Sequence, residues 1–226
     1  MHLRPAAELA DRVLLPGDPA RALLVAQELL EAPKMFNHAR GLWGYSGTAG
    51  DGELLTVQST GMGGPSAAIV CEELIALGVR RLVRIGTCGA LAPGVEMGEL
   101  LAAQAVLAGD GASLALGSDR TLHPDSALHK GLVGSGARPA TLVSSDLFYD
   151  PRESAARDWI ERGALAVELE AAALFAVAAR RGVAAACVVG VTDVPAADGV
   201  RQMPFGEREA LGVRLGDAGY AAVKSR

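Results

Sequence analysis

Residues 54–90 read LLTVQSTGMGGPSAAIVCEELIALGVRRLVRIGTCGA, and the order of residue types within them decides the fold. Leu54 to Gln58 has strand composition and runs into Gly61-Met62-Gly63-Gly64-Pro65-Ser66, a turn with proline at a helix start. Ile69, Val70, Leu74, Ile75 and Leu77 then recur at helical spacing, and Gly78 ends the helix. Arg81-Leu82-Val83-Arg84-Ile85 returns as a strand and opens into Gly86-Thr87-Cys88-Gly89-Ala90. This is a strand–helix–strand unit, and sheets built from such units bind ligands beyond the carboxyl ends of their strands.

The same alternation continues in both directions. Upstream, Val13 to Leu15 reads as a short strand ending in Pro16-Gly17-Asp18-Pro19, and a helix follows over about Ala20 to Leu30. Trp43 to Tyr45 and Glu53 to Gln58 flank Gly50-Asp51-Gly52, which signals a hairpin. Downstream, the Gly-, Ser- and Asp-rich stretch from Gly109 to Pro139 has no clear period. Ala140 to Val143 is a strand leading to Ser144-Ser145-Asp146-Leu147-Phe148-Tyr149. Leu165 to Leu169 is another strand, followed by a helix over Ala171 to Arg181. Ala184 to Val191 is a buried strand ending at Thr192-Asp193, and a last amphipathic helix spans about Phe205 to Val223.

Composition narrows the function classes. Of 226 residues, 50% are hydrophobic and 21% charged, which is ordinary for a folded globular chain. Aromatic residues are only 4%, so the core must be built from Ala, Val, Leu and Ile. A formal charge of −5 argues against a broad nucleic-acid footprint or a polybasic membrane anchor, though not against a local arginine cluster for a small anion. Cys71, Cys88 and Cys187 are far apart, without metal-ligand spacing, and fit free thiols in a reducing cytoplasm. The first residues lack the apolar run of a signal peptide. No metal, organic cofactor or membrane contact is expected.

The usual nucleotide and hydrolase signatures G-x-x-x-x-G-K-[ST], G-x-G-x-x-G and G-x-S-x-G are absent. What stands out is Arg84, a charge inside an otherwise apolar strand, which must be paired or must bind something because burying it alone is costly.

Seven motifs in order resemble the nucleoside phosphorylase family of the trimeric and hexameric type, most of all its bacterial hexameric purine branch. They are Leu14 to Arg21, Arg40 to Gly47, Gly61 to Ser66, Arg84 to Gly89, Ser144 to Tyr149, Val167 to Ala171, and Thr192-Asp193. The resemblance implies an α/β fold: a single-domain, three-layer α/β/α sandwich around a twisted mixed sheet. It implies that Gly17, Arg21, Arg84 and Thr87 bind phosphate, joined by Arg40 from a neighbouring subunit. It gives the ribose to Met62, Glu168 and Glu170, with His2 reaching a neighbour's 5′-hydroxyl. The base falls to Phe148, Tyr149, Val167 and Leu169. Asp193 becomes the acid that protonates N7 of a departing purine, with Arg208 as its cationic partner and Arg201 as a possible substitute.

Such an enzyme would be a cytoplasmic pentosyltransferase with phosphate as its co-substrate, working as a homo-oligomer, a hexamer by family expectation. Rival readings remain beside it: uridine phosphorylase, methylthioadenosine phosphorylase, a nucleosidase that uses water, and a non-catalytic nucleoside-binding protein. The stretch 150–154 contains no glutamine of the kind uridine phosphorylases use to read uracil, and Asp193 points towards purine.

Overall fold

A computed structural model describes residues 1–152, 154–197 and 199–224 of the chain; Glu153, within the stretch just considered, lies outside them. In chain order the elements are β1 (Arg12–Leu15), α1 (Pro19–Leu29), β2 (Leu30–Asn37), β3 (Gly44–Ala49), β4 (Leu54–Gln58), α2 (Gly64–Ala76), β5 (Arg81–Ala90) and β6 (Leu100–Gly109). Then come α3 (Gly111–Ala115), β7 (Thr121–Leu122), α4 (Ser126–Gly134), β8 (Arg138–Ser145), α5 (Ala155–Glu161) and β9 (Ala166–Glu168). The chain finishes with α6 (Ala171–Arg181), β10 (Ala184–Ala196), β11 (Gly199–Gln202) and α7 (Phe205–Val223).

The strands form one mixed sheet, in the order β11-β10-β6-β8-β9-β5-β1-β4-β3-β2, with β7 beside β6. β1 runs parallel to both β4 and β5, and β5 parallel to β10. Because β10 also pairs with β6, strands β5, β9, β8, β6 and β10 close into a ring at one end of the sheet. Apolar residues of α2 and α6 pack with one face of the sheet, and those of α1, α4 and α7 with the other. The expected α/β architecture with helices on both faces of a mixed sheet is therefore present, with the ring as an addition.

The strand–helix–strand unit from Leu54 to Ala90 forms as read, but both long strands overrun their expected ends. β5 continues through Gly86 to Ala90, because Gly89 and Ala90 find antiparallel partners in Val167 and Ala166 of β9. β10 continues past Asp193 to Ala196, because residues 193–196 pair with β11. A bulge between Val191 and Asp193 breaks the ladder with β5 there and re-aims the chain. Ile69 and Leu77, read as part of the apolar face of α2, are exposed. The stretch from Gly109 to Pro139 contains α3, β7 and α4. Asp110 and Asp125 start the two helices by accepting backbone N–H groups of their first turns.

One charged residue at the foot of the sheet ties three segments together. Arg12, fully buried in β1, makes a two-pronged pair with Asp51 of the β3–β4 hairpin at 2.5 and 2.7 Å. Its remaining donors reach the carbonyls of Leu54, Glu53 and Val223, the last at the end of α7. Removing the carboxylate alone strands a buried charge, whereas replacing both partners by apolar residues need not. Asp51→Ala should therefore cost about 3 kcal/mol in urea unfolding, and Arg12→Met combined with Asp51→Leu should recover most of it.

Candidate active site

The carboxyl ends of β1 and β4 are stitched side by side: Thr60 N donates to Pro16 O at 2.9 Å and Gly61 N to Gly17 O at 3.1 Å. Asp18 then caps α1, its carboxylate accepting from Ala20 N, with Pro19 opening the helix. Together with the ends of β5, β9 and β10 these loops surround a cavity of about 850 Å³. Gly17, Arg21, Met62, Arg84, Thr87, Phe148, Tyr149, Val167, Glu168, Leu169, Glu170 and Asp193 all line it. Residues spread over 177 positions of sequence thus meet in one concavity at the strand ends, as parallel pairing of β4, β1, β5 and β10 requires.

Arg84 organises the polar end. It is buried, and its Nε donates to Glu168 at 2.9 Å while Nη2 pairs with Glu170. Burial lowers its pKa, but the carboxylates of Glu170 and Glu168 more than offset this and raise it. Its third nitrogen, Nη1, is buried on the side of Gly17 and makes no hydrogen bond among the described residues.

The two acids, two residues apart, have different work. Glu168 accepts from Arg84 Nε, from Ser144 Oγ, and from the backbone N–H groups of Glu170 and Ala171 at the start of α6. These donors use both of its oxygens, so the residue read as a ribose ligand is built into the frame behind Arg84. Glu170 faces the cavity. It accepts from Gly63 N at 2.6 Å, an approach that Gly63 makes with φ +87°, a left-handed conformation suited to glycine. Burial raises the Glu170 pKa, an effect that Arg84 opposes.

Arg21 projects from α1 into the same region. Burial lowers its pKa, and the nearby guanidinium groups of Arg84 and Arg208 push in the same direction against Asp18. Arg21 and Arg84, the second with a buried donor uncommitted, line one end of the cavity and form an electrostatic seat for an anion.

The other end is apolar and open. Met62, Phe148 and Tyr149 are 84%, 67% and 90% exposed at the rim, and the two rings meet edge-to-face with centroids 5.0 Å apart. Val167 and Leu169 form the wall between them and Glu168. Asp193 sits at this end, accepting from its neighbour Thr192 Oγ1 at 2.6 Å.

The expected arginine partners of Asp193 are elsewhere. Arg208 directs Nε to the carbonyl of Met203 at 3.3 Å, and Arg201 lines a second cavity with Glu96 on the far side of the β10–β11 hairpin. The reason is parity: Arg201 is one residue from Gln202, which pairs opposite Asp193, so its side chain takes the other face of the ladder. Gln202 and Val200, neither singled out from sequence, line the main cavity. Only the existence of β11 would have revealed them, and its four residues carry little strand signal.

Two residues stand away from this cavity. His2 binds Glu73 of α2 through Nδ1 at 2.8 Å, and the backbone N–H groups of His2 and Leu3 join it on the same carboxylate. Arg40 is exposed on the turn Ala39–Gly41 with φ +60°, a left-handed conformation that costs a non-glycine residue on the order of 1 kcal/mol. Neither lines the cavity of its own chain. Among the described residues there is no group of three or more His, Cys, Asp or Glu able to hold a metal, and no helix is long and apolar enough to cross a membrane. Cys71, Cys88 and Cys187 are free and buried, and burial pushes the Cys71 thiol up to about 12.

The chain as a whole is similar to known proteins. The family model described as the Phosphorylase superfamily matches residues 11–215, and the chain belongs to that superfamily. It is 37% identical over 201 residues to a protein of Clostridium beijerinckii named purine nucleoside phosphorylase DeoD-type, covering 84% of this chain and 83% of that one. Proteins of the same name from Geobacillus kaustophilus and Oceanobacillus iheyensis are also 37% identical, over 198 and 196 residues. The match to the first covers 82% of both chains, and that to the second covers 82% of this chain and 83% of the relative.

The anion seat has a sensitive point. A Cβ on Gly86 would stand 2.5 Å from Arg84 Nη2 and 2.7 Å from its Cζ, and Arg84 cannot retreat without leaving both glutamates. Gly86→Ala should weaken binding of inorganic phosphate about tenfold or more by calorimetric titration. Its far-UV circular dichroism should stay that of the parent.

Proposed function

We propose that this protein is a pentosyltransferase that splits purine ribo- and deoxyribonucleosides with phosphate, giving the free base and the sugar 1-phosphate. The observation that carries this reading is the placement of Arg84, which offers one buried donor on the Gly17 side while holding Glu170 with another. A donor for an anion and an acceptor for a sugar hydroxyl would thereby adjoin in one cavity. The names of the relatives support the same reaction and the same base class.

In this reading Arg21, Arg84, Thr87 and the backbone at Gly17 hold phosphate in line with C1′. Glu170 accepts from the ribose hydroxyls, with Met62 against the sugar. As the C1′–N9 bond lengthens, positive charge gathers on the ribose, and phosphate and Glu170 stabilise it. A phosphate oxygen bonds to C1′, the bonding pair leaves with the purine, and Asp193 delivers its proton to N7, ending as a carboxylate. Phe148, Tyr149, Val167 and Leu169 enclose the base.

The uncommitted Nη1 of Arg84, with Arg21 beside it on the same cavity, offers charged donors that a multidentate anion satisfies better than a neutral water, which favours phosphorolysis over hydrolysis. Arg40 and His2, both outside their own chain's cavity, fit contributions to a neighbouring subunit's site. A cytoplasmic homo-oligomer, a hexamer assembled as three dimers, is the form this arrangement suits. Phosphate is the co-substrate, and the chemistry calls for no cofactor.

The direct test is phosphate-dependent release of base from inosine, adenosine and uridine. Both purines should be cleaved, with formation of ribose 1-phosphate, and uridine spared. Asp193→Asn should lower kcat about 10²- to 10⁴-fold, with little change in the KM for phosphate.

The pH profile is a second test. The site needs Glu170 as carboxylate, and burial raises the pH at which that form appears. As pH falls through this raised value, activity is lost, so the acid limb of kcat/KM should lie above the ordinary glutamate value of about 4.3. Glu170→Gln should be slow and should lack that limb.

A further inference from the structure

The β10–β11 hairpin places a second polar side chain beside Asp193. Asp193 and Gln202 are directly opposite in the antiparallel ladder. Such partners point to the same face with Cβ atoms about 5 Å apart, and both line the main cavity. The register is pinned at the adjoining residue, where Met203 is buried and its N–H donates to Thr192 O at 2.7 Å. Alternation along β11 is consistent: Val200 and Gln202 face the main cavity, while Arg201 faces the second one. Arg208 is turned to the Met203 carbonyl. Of the described polar side chains after Asp193 in the hairpin, Gln202 is the one that lines the main cavity.

We propose that Gln202 reads the substituent at position 6 of the purine, beside the N7 contact of Asp193. This deepens the phosphorolysis reading and rests on it. N7 and the 6-substituent share one edge of a purine, the edge that a carboxamide can address. A 6-oxo group needs a donor there and a 6-amino group an acceptor. Asp193 spends one oxygen on Thr192 and its chemistry on N7, so a separate group has to serve position 6. A carboxamide presents both a donor and an acceptor and changes between them by rotating about one bond. The site therefore accepts 6-oxo and 6-amino purines with similar efficiency, and the identity of residue 202 sets the balance.

The experiment compares kcat/KM for inosine and adenosine in the parent enzyme, Gln202→Glu and Gln202→Leu, with dissociation constants of free hypoxanthine and adenine measured by calorimetry on the same proteins. An ionised glutamate can only accept, so Gln202→Glu should lower the inosine-to-adenosine ratio about tenfold or more, in turnover and in base binding alike. Gln202→Leu should depress both substrates about tenfold without moving the ratio in that direction. The KM for phosphate should stay that of the parent in each, which separates a contact with the base from general damage to the hairpin. A ratio that Gln202→Glu leaves unchanged overturns the proposal, as does a loss confined to phosphate. Should the parent release no base with phosphate, the phosphorolysis reading fails on its own, and the hypoxanthine-to-adenine binding ratios still decide the role of Gln202.

Discussion

A guanidinium carried by the middle of an apolar strand has to be compensated, and the compensation of Arg84 sets the positions of most other parts of the site. Glu168 takes Nε and Glu170 takes Nη2, which leaves Nη1 facing Gly17. The two acids flank the junction of β9 and α6, so the pairing fixes that junction against β5. Glu168 in turn collects the first backbone N–H groups of α6 and the hydroxyl of Ser144 in β8. One buried charge thus joins β5, β8, β9 and the start of α6. Buried ion pairs contribute little net stability when their desolvation is counted. What this one contributes is direction: it holds a cation and an acceptor at fixed angles to the cavity.

That division of labour explains why the site can be polar at one end and open at the other. The anion seat is assembled from backbone loops and the buried Arg84, groups with little freedom, which suits holding an anion in one orientation. The rim is made of exposed Met62, Phe148 and Tyr149, which gain burial only when something covers them. The energy of covering them is therefore available to hold the nucleoside against the rigid end.

Much of this was legible in the residues. The strand–helix–strand unit, the hairpin at Gly50-Asp51-Gly52 and the bounds of α7 follow from local spacing and turn chemistry, and they form where expected. Elements governed by distant partners were not. β6 is a run of Leu and Ala largely buried on both faces, so it lacks the alternation that marks a strand. β2 contains Pro33 and a bulge around Ala32, the irregularities of a strand paired on one side alone. The ends of β5 and β10 extend because β9 and β11 meet them, and no property of Gly86 to Ala90 or of Val194 to Ala196 announces those partners.

The site shows the same boundary between local and non-local information. Arg84 was conspicuous because a charge in an apolar strand conflicts with its surroundings, and such conflicts mark function. Glu168 and Glu170 were visible as a pair, but which one faces the cavity depends on how β9 turns into α6, and spacing alone allows either. The same limit hid the neighbour of Asp193. Reading along the chain makes arginine the natural partner for an acid, and both candidates were arginines. Reading across the ladder sets Gln202 opposite Asp193 and turns Arg201 to the other face, because a one-residue change in position reverses the face on which a side chain emerges. A carboxamide opposite an acid is a different device from a cation opposite an acid: it recognises shape and hydrogen-bond polarity and leaves the charge of the acid to the bound base. Of the residues lining this cavity, Arg21 and Arg84 are the arginines, and Asp193 and Gln202 stand opposite each other on the β10–β11 ladder.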